Sequence, residues 1–232
     1  MEIKKIHMLG LSDVLKPKIV LDLLNNMDAL HDREIVYLTE KESGLVVDFC
    51  EENNIETIIV NHSDILESVE MIKKQNADLL ICVGWNRKLP VEFLGCYKKC
   101  INCHGGLLPD YRGNRAYMPL YANIPDEYGV TIHYMTEKFD DGNIIKQAKL
   151  KLYLEETPLI IHRRLSELTA LILPESIRLV EEGFEGKKQQ GLARYFNSLS
   201  REDMDKLRHK NIENIRNGLP KEIAPHKSWE IE

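Results

Sequence analysis

The chain has 232 residues, a formal net charge of −6, and a hydrophobic content of 43%. Its length suits one domain with an appendage, and its apolar content allows a substantial core. The acidic balance gives no general attraction to nucleic acid or to an anionic membrane surface. No apolar stretch is long enough to span a membrane, and the N-terminal apolar run is too short for a signal peptide. We therefore expect a cytoplasmic protein.

The first 104 residues alternate between short apolar runs and helical patterns. Four strands are predicted, at residues 6–9, 34–38, 57–60 and 78–83. Ser63 is the expected N-cap of the third helix. This order predicts a Rossmann-like, mostly parallel α/β sheet with helices on both faces. Such sheets bind ligands at the carboxyl ends of their strands, here the residues that follow Val83 and Ile101.

The second half begins with two further strands. They are predicted at residues 128–135 and 143–153, joined by Asp140-Asp141-Gly142. Thr157 opens a helical pattern that runs to Glu182, and Pro174 is expected to kink or divide that helix. We expect a catalytic domain at residues 1–186.

An appendage is expected at residues 187–232. A strand is predicted at residues 189–197, followed by a helix from the N-cap Ser200 to about Arg216. The tail from Gly218 has few apolar anchors, so we expect it to be poorly ordered. Tyr195 and Phe196 are candidates either for packing the appendage or for a homodimer contact, and the sequence leaves both open.

Cys96, Cys100 and Cys103 have the spacing C-x3-C-x2-C, which is also the spacing of a radical iron–sulfur loop. However, residues 99–104 resemble a strand, on which Cys100 and Cys103 would point to opposite faces and could not hold one cluster. The same argument weakens a zinc site completed by His104. Buried cysteines acting as small apolar residues are the better interpretation, and no metal is expected.

An acid/base site is the second interpretation of this stretch. Asn102 and His104 are two residues apart, so on a strand they face the same side. The Asp140-Asp141 turn supplies carboxylates at the end of another predicted strand. An amide donor, an imidazole and a carboxylate together can perform acyl transfer.

Residues 82–147 resemble the catalytic core of the folate-dependent formyltransferases. The motifs that carry the resemblance are, in order, CVGWNRKLP from Cys82, INCHGGLLP from Ile101, GVTIHYM from Gly129 and FDDGNIIKQ from Phe139. The family's catalytic Asn, His and Asp fall on Asn102, His104 and Asp140, the last because it stands two residues before Gly142. One departure is Gly106, where the family usually has Ser.

The resemblance implies 10-formyltetrahydrofolate as formyl donor and a primary amine as acceptor. It implies that Asn102 donates to the oxyanion, that His104 accepts the amine proton, and that Asp140 fixes the imidazole and relays a proton through water. The donor-binding residues implied are Trp85, Arg87, Lys88, Leu89, Asp140 and Gly142.

The acceptor is inferred largely by elimination. Glycinamide ribonucleotide formyltransferases carry a Gly-Ser-Asn turn after the first strand, whereas this chain has Ser12-Asp13, and Asp13 would repel a phosphate. The loop and basic C-terminal domain of methionyl-tRNA formyltransferases, and the regulatory domain of formyltetrahydrofolate hydrolases, are not expected here. The chain is therefore most similar to the sugar N-formyltransferases, which formylate nucleotide-linked amino-deoxysugars.

The acceptor-binding residues expected on this basis are Tyr111, Arg112, Asn114, Arg115 and Tyr117, with Arg112 or Arg115 pairing with a diphosphate. Three alternatives stay open: glycinamide ribonucleotide formyl transfer, an inactive relative that binds folate or a nucleotide, and the cluster enzyme.

Overall fold

The protein is described by a computed structural model that covers residues 1–196 and 200–231. The strands are β1 Lys5–Leu9, β2 Glu34–Thr39, β3 Glu56–Ile59, β4 Leu79–Cys82, β5 Lys99–His104, β6 Glu127–Tyr134, β7 Ile144–Lys151, β8 Gly191–Phe196 and β9 His226–Ile231. The α-helices are α1 Leu15–Asn26, α2 Leu45–Glu52, α3 Val69–Gln75, α4 Val91–Leu94, α5 Tyr117–Asn123, α6 Pro158–Glu181 and α7 Arg201–Arg216, and a 3₁₀ turn at Ile65–Ser68 leads into α3.

Seven strands form one sheet in the order β3-β2-β1-β4-β5-β6-β7. The first five are parallel, while β6 and β7 are antiparallel to their neighbours. Successive residues of β2 alternate between two cores: Val36 and Leu38 belong to one, and Tyr37 to the other. Helices α1, α2 and α6 pack on one face of the sheet, and α3 and α4 on the other. The mostly parallel α/β sheet with helices on both faces is therefore confirmed.

The order in which strands are added to the sheet reverses between β3 and β4. The chain moves outward from β1 to β3 and then returns to place β4 on the other side of β1. Sheets of this kind bind ligands at such a reversal, outside the carboxyl ends of the strands. The residues that follow β1, β4 and β5 are therefore brought to one edge.

Two helix predictions need correction. Of the two effects predicted for Pro174, a division of the helix is wrong, because α6 runs unbroken through it from Pro158 to Glu181. Buried contacts on both sides of the proline, including Leu173 and Ile177, offset the roughly 3 kcal/mol that proline costs inside a helix. The N-cap before the 3₁₀ turn is Asp64 rather than Ser63, since the Asp64 side chain accepts from the Leu66 N–H at 3.1 Å.

The prediction of a poorly ordered tail was also wrong. The strand β9 pairs antiparallel with β8 along its whole length, and the ring of His226 lies 5.4 Å from that of Phe196. Upstream, the buried Ala224 donates its N–H to Asn123 at 2.7 Å. The tail is held by a distant strand rather than by an apolar face of its own, so no local pattern indicated it.

The predicted strand and helix of the appendage are confirmed. The strand lies at Gly191–Phe196, and residue 197 of the predicted range falls outside the described residues. Ser200 caps α7 by accepting from the Asp203 N–H at 3.1 Å. Within residues 1–196 and 200–231, no helix combines the length and apolar character needed to cross a membrane.

Candidate active site

Asn102 and His104 lie at the carboxyl end of β5, between β4 and β6. Asn102 stands beside Cys82 of β4 on one side and His133 of β6 on the other. The two-residue spacing places both side chains on one face, as the strand period requires. His104 is buried, and Asn102 is partly exposed.

A backbone carbonyl sets the tautomer of His104. Its Nε2 lies 2.7 Å from the carbonyl oxygen of Tyr111, which can only accept a hydrogen bond. Nε2 therefore carries the proton, and Nδ1 is the basic nitrogen. Nδ1 lies 3.5 Å from Oδ1 of Asp140. A proton taken up at Nδ1 is thus placed beside a carboxylate.

Asp140 is buried in the loop between β6 and β7, where its carboxylate accepts from two donors. Its Oδ1 accepts from Nδ2 of Asn102 at 3.2 Å, and its Oδ2 accepts from the Gly113 N–H at 2.9 Å. The residue has a φ of 50°, a left-handed conformation that Asp tolerates better than most residues. These contacts bring Asn102, His104 and Asp140 together, as the motif spacing predicted.

The residue His133 completes the cluster and was not identified from sequence. Its Nδ1 lies 2.8 Å from the Tyr134 carbonyl, so Nδ1 donates and Nε2 is left as an acceptor. That Nε2 lies 3.1 Å from Nδ2 of Asn102. Both N–H groups of the Asn102 amide are therefore engaged, one with His133 and one with Asp140.

Burial and charge set the protonation states of the cluster. Burial lowers the pKa of His104, and the negative charge of Asp140 opposes only part of that shift. Burial on its own raises the pKa of Asp140, but the interaction with His104 and the hydrogen bond from the Gly113 N–H oppose it, and that pKa lies well below its ordinary value. The resting site therefore holds a neutral imidazole and an ionised carboxylate, the states a general base and its partner need.

Gly106 lies where a side chain would press on this cluster. A Cβ at this position would lie 2.8 Å from Nε2 of His104 and 3.0 Å from the Tyr111 carbonyl oxygen. These are the two atoms of the hydrogen bond that sets the His104 tautomer. A serine at this position, although usual in the family, cannot fit here unless that bond shifts.

We expect Gly106→Ser to lower kcat/KM by up to about 100-fold, because small displacements of a catalytic group have costs of that size. Steady-state kinetics with 10-formyltetrahydrofolate would measure the loss, and thermal unfolding would show whether the fold is retained. Gly105→Ser is the matched control, because a Cβ at Gly105 meets only the methyl group of Leu165 at 3.6 Å. A Gly106→Ser enzyme as active as wild type would show that the contact is relieved without affecting His104.

The cluster opens into a cavity of about 580 Å³, a volume typical of small-molecule sites. Its wall is formed by the loop after β1, the loop after β4, the end of β5, the loop before α5, the turn between β6 and β7, and one face of α6. The predicted donor-binding residues in the wall are Trp85, Arg87, Lys88, Leu89 and Asp140, and the predicted acceptor-binding residues there are Asn114, Arg115 and Tyr117.

Basic side chains at the cavity outnumber acidic ones. The basic ones are Lys16, Arg87, Lys88, Arg115 and Lys138, and the acidic ones are Asp13 and Asp140. The chain as a whole carries a net charge of −6, so this excess is local. A concave site with a local excess of positive charge favours anionic ligands.

Three predicted ligand-binding residues are not brought to the cavity. Tyr111 is buried and stacks on Phe196 at 4.8 Å. Arg112 is also buried, and its guanidinium donates to Asp141 and to Gln189 at 2.7 Å each. Gly142 lies where the Tyr134 carbonyl would be 1.8 Å from a Cβ, so the backbone approach requires glycine. All three support the loops behind the site.

Gln189 links the appendage to the loop that carries Asp140. Its Nε2 donates to the carbonyl oxygens of Asp140 at 2.9 Å and Gly142 at 2.8 Å, while its Oε1 accepts from Arg112. The buried amide therefore holds the backbone on which the Asp140 carboxylate is mounted. Sequence patterns did not indicate this role, since Gln189 lies 47 residues beyond Gly142.

Cys100 and Cys103 point to opposite faces of β5, as predicted, and belong to different cores. Burial raises the pKa of their thiols to about 12 and about 11. Among residues 1–196 and 200–231 there is no group of three or more His, Cys, Asp or Glu side chains arranged to hold a metal ion.

Similar sequences include methionyl-tRNA formyltransferases. A methionyl-tRNA formyltransferase from Clostridioides difficile is 35% identical over 57% of this chain and 43% of its own length. One from Staphylococcus aureus is 34% identical over 59% of this chain and 45% of its own length. The chain thus spans less than half the length of these curated relatives.

Solved structures share the fold at lower identity. A glycinamide ribonucleotide transformylase from Symbiobacterium toebii superposes with a TM-score of 0.70 at 21% identity, covering 81% of this chain and 93% of the other. A Mycobacterium tuberculosis protein suggested to be a sugar N-formyltransferase superposes with a TM-score of 0.60 at 17% identity, covering 81% and 72%.

A family model described as formyl transferase matches residues 30–177, which is more than half of the 232 residues and includes the whole Asn102–His104–Asp140 cluster. The chain belongs to the formyl transferase family, whose members use 10-formyltetrahydrofolate as formyl donor.

Proposed function

We propose that this enzyme transfers the formyl group of 10-formyltetrahydrofolate to the primary amine of a nucleotide-linked amino-deoxysugar, with Asn102, His104 and Asp140 as catalytic residues. One observation carries the proposal: the three side chains meet at the wall of a cavity whose basic residues outnumber its acidic ones by five to two. Both substrates of such a reaction are anionic, one through glutamyl carboxylates and the other through a diphosphate.

The geometry supports a proton route through the imidazole. The acceptor nitrogen adds to the formyl carbon of the donor to give a tetrahedral oxyanion, and the bond between that carbon and the folate nitrogen breaks when the oxyanion collapses. Nδ1 of His104 takes the amine proton, since Nε2 is already protonated and bonded to Tyr111. Asp140 then stabilises the imidazolium at 3.5 Å. The proton finally passes to the folate nitrogen.

Asn102 donates to the developing oxyanion with an amide N–H that is hydrogen-bonded to another group in the resting site. In the structure both of its amide N–H groups are engaged, with His133 at 3.1 Å and Asp140 at 3.2 Å. When His104 becomes protonated, Asp140 has a stronger partner and one amide N–H is released toward the oxyanion. Removing one such donor typically costs about 10²–10³ in rate.

The loop after β4 fits the folate donor. Leu89 is buried and anchors the loop, while Arg87 and Lys88 are exposed beside the cavity. Within the described part of the chain, neither basic side chain forms an ion pair. They are available to the glutamyl carboxylates, while backbone groups of residues 85–90 are available to the pterin edge.

The loop before α5 forms the acceptor side. Asn114 and Arg115 are exposed, and Tyr117 is partly buried beside them in the same wall. The ring of Tyr195 closes over this loop, 3.0 Å from where a Cβ on Gly113 would stand. A guanidinium next to two aromatic rings suits a nucleoside diphosphate, through phosphate pairing and base stacking.

The loop after β1 is poorly suited to the phosphate of glycinamide ribonucleotide. The Ser12 N–H and hydroxyl both donate to Glu40, at 3.0 Å each. Asp13 lines the cavity next to them. A phosphate at this position would need the N–H and hydroxyl of Ser12 as hydrogen-bond donors. Glu40 already accepts from both, and the carboxylate of Asp13 next to them would repel the phosphate.

Methionyl-tRNA is the second candidate acceptor, because sequence relatives bearing that name are 33–35% identical to this chain. A net charge of −6 over these 232 residues is unfavourable for a polyanion such as tRNA, whose binding relies on phosphate neutralisation. A direct comparison of acceptors decides between the two candidates.

We expect the enzyme to add one formyl group to a thymidine-diphosphate-linked 4-amino-4,6-dideoxyhexose, and not to glycinamide ribonucleotide or methionyl-tRNA. Arg115→Met should raise the acceptor KM about tenfold or more, through loss of a charged pair, and leave the folate Kd unchanged. Product mass and steady-state kinetics are the measurements. Arg163→Met is the control, since Arg163 lies on α6 outside the cavity wall. Formylation of methionyl-tRNA alone would overturn the amino-sugar assignment.

A further inference from the structure

Lys16 is a buried lysine in the cavity wall whose role no sequence motif indicated. It lies in the first turn of α1 and is only 7% exposed. Its ammonium donates to the backbone carbonyl of Cys103. That carbonyl stands between Asn102 and His104 on β5, so the lysine is attached to the strand that carries both catalytic residues.

The charge of Lys16 has no direct counterion. Among the described residues no carboxylate lies within 4.0 Å of its ammonium. Burial lowers the pKa of Lys16. The nearby thiols of Cys82 and Cys103 supply no negative charge, because burial raises their pKa values to about 12 and about 11. The negative charge that acts on Lys16 is that of Asp140. A buried cation without an ion pair is costly and unusual.

We propose that Lys16 is a positioning residue of the reaction, whose buried charge keeps His104 and the incoming amine in their uncharged, reactive forms. The proposal rests on the function proposed above, in which His104 is the base. It extends that function by identifying a positive charge that opposes the effect of Asp140, which favours protonation of His104.

The balance follows from the groups that face His104. Asp140 favours the imidazolium, while His133 of β6 and Lys16 of α1 disfavour it. On α6, His162 also feels Lys16: burial and this cation lower its pKa to about 4. Without Lys16, Asp140 would hold a proton on His104 at a higher pH, and the acceptor would more readily remain an ammonium ion. Both effects would lower the fraction of His104 and of the acceptor amine that is uncharged and reactive.

Three variants separate charge from structure. Lys16→Gln removes the charge and keeps an N–H donor for the Cys103 carbonyl. Lys16→Arg keeps the charge. Lys18→Gln is the matched control on the same helix, where Lys18 pairs with Asp22 at 3.1 Å and lies outside the cavity wall. Thermal unfolding identifies any variant that fails to fold. If one of Lys16→Gln and Lys16→Arg does not fold, the result for the other can still be interpreted on its own.

The test is an NMR titration of the His104 imidazole in the full chain, with its signal assigned from His104→Ala. In Lys16→Gln we expect the midpoint to move to higher pH, so that the protonated fraction at pH 6 increases about threefold or more. Lys16→Arg and Lys18→Gln should match wild type. An unchanged midpoint in a folded Lys16→Gln, or an equal shift in a folded Lys16→Arg, would overturn the proposal.

A kinetic readout separates this inference from the proposed function. The acidic limb of kcat/KM should move to higher pH in Lys16→Gln, by the same amount as the titration. If His104→Ala retains activity, the proposed role of His104 fails, whatever Lys16 does. If His104→Ala is inactive while the titration of Lys16→Gln matches wild type, only the inference about Lys16 fails.

Discussion

Replacing His104 with Ala is expected to lower kcat by about 10²–10⁴, the range that general-base catalysis contributes. The expectation follows from a single basic nitrogen, Nδ1, which lies 3.5 Å from Asp140, while the Tyr111 carbonyl holds the ring proton on Nε2. The fold should persist, since the imidazole makes one hydrogen bond and the deletion opens into an existing cavity. Formyl transfer measured by product mass under saturating donor gives kcat directly.

Two further observations would distinguish loss of the base from general damage. Added imidazole should restore part of the activity of His104→Ala, and it should have no effect on wild type. His31→Ala is the matched control, because His31 is exposed at the opposite end of the sheet. An active His104→Ala enzyme would show that another group removes the amine proton.

The pH dependence of wild type tests the same assignment. A base must be neutral to act, so kcat/KM falls as pH drops through its pKa. Since burial lowers the pKa of His104 from the ordinary 6.5, activity should persist at pH values where a free histidine is mostly charged. The profile of kcat/KM should therefore show its acidic limb below pH 6.5.

Replacing Asp140 with Asn is the second large effect, with kcat expected to fall about 10³-fold. In the proposed mechanism the carboxylate stabilises the imidazolium that forms on Nδ1, and in the structure it accepts from both Asn102 and the Gly113 N–H. An amide cannot supply the charge, and its NH₂ group would face one of these donors. Donor and acceptor KM values should change much less than kcat, because the loss affects the transition state.

Asp141→Asn is the control that tests the assignment between neighbouring carboxylates. Asp141 pairs with the buried Arg112 at 2.7 Å and is absent from the cavity wall. Its replacement should lower kcat by less than about tenfold, through loosening of the loop. If Asp141→Asn had the larger effect, the catalytic carboxylate would have been assigned to the wrong residue.

Asp140 also links stability to pH. Its pKa is held below the ordinary 3.8, so the folded state keeps a carboxylate that the unfolded chain would protonate first. That contribution is present above pH 3.8 and is lost as pH falls through the folded-state pKa. Urea unfolding below pH 4 should therefore show a smaller loss of stability in Asp140→Asn than in wild type.

The sheet and the triad were predictable because each has a local signature. Apolar runs such as Leu79–Cys82 identify strands buried on both faces, and the two-residue spacing of Asn102 and His104 identifies a shared face. The Asp140 motif added the third member through its fixed offset from Gly142. These features depend on neighbours within a few residues, which a sequence displays directly.

The features that were missed depend on contacts across the chain. Lys16 reaches a carbonyl 87 residues away, and Gln189 reaches the Asp140 backbone 49 residues away. The strand β9 is mostly exposed and is defined by pairing with β8, so its sequence has no apolar alternation. Tyr111 and Arg112 follow the catalytic motif closely, yet their side chains turn into the core and toward Asp141. Proximity in sequence to a catalytic histidine did not predict proximity to the cavity.

The most direct test of the central claim is a single-turnover assay with 10-formyltetrahydrofolate, the thymidine-diphosphate-linked amino sugar, and either wild type or His104→Ala. The account predicts that wild type adds one formyl group to the amino sugar and that His104→Ala does so at least about 10²-fold more slowly. Equal rates in the two enzymes, or no transfer to any amine by wild type, would contradict it.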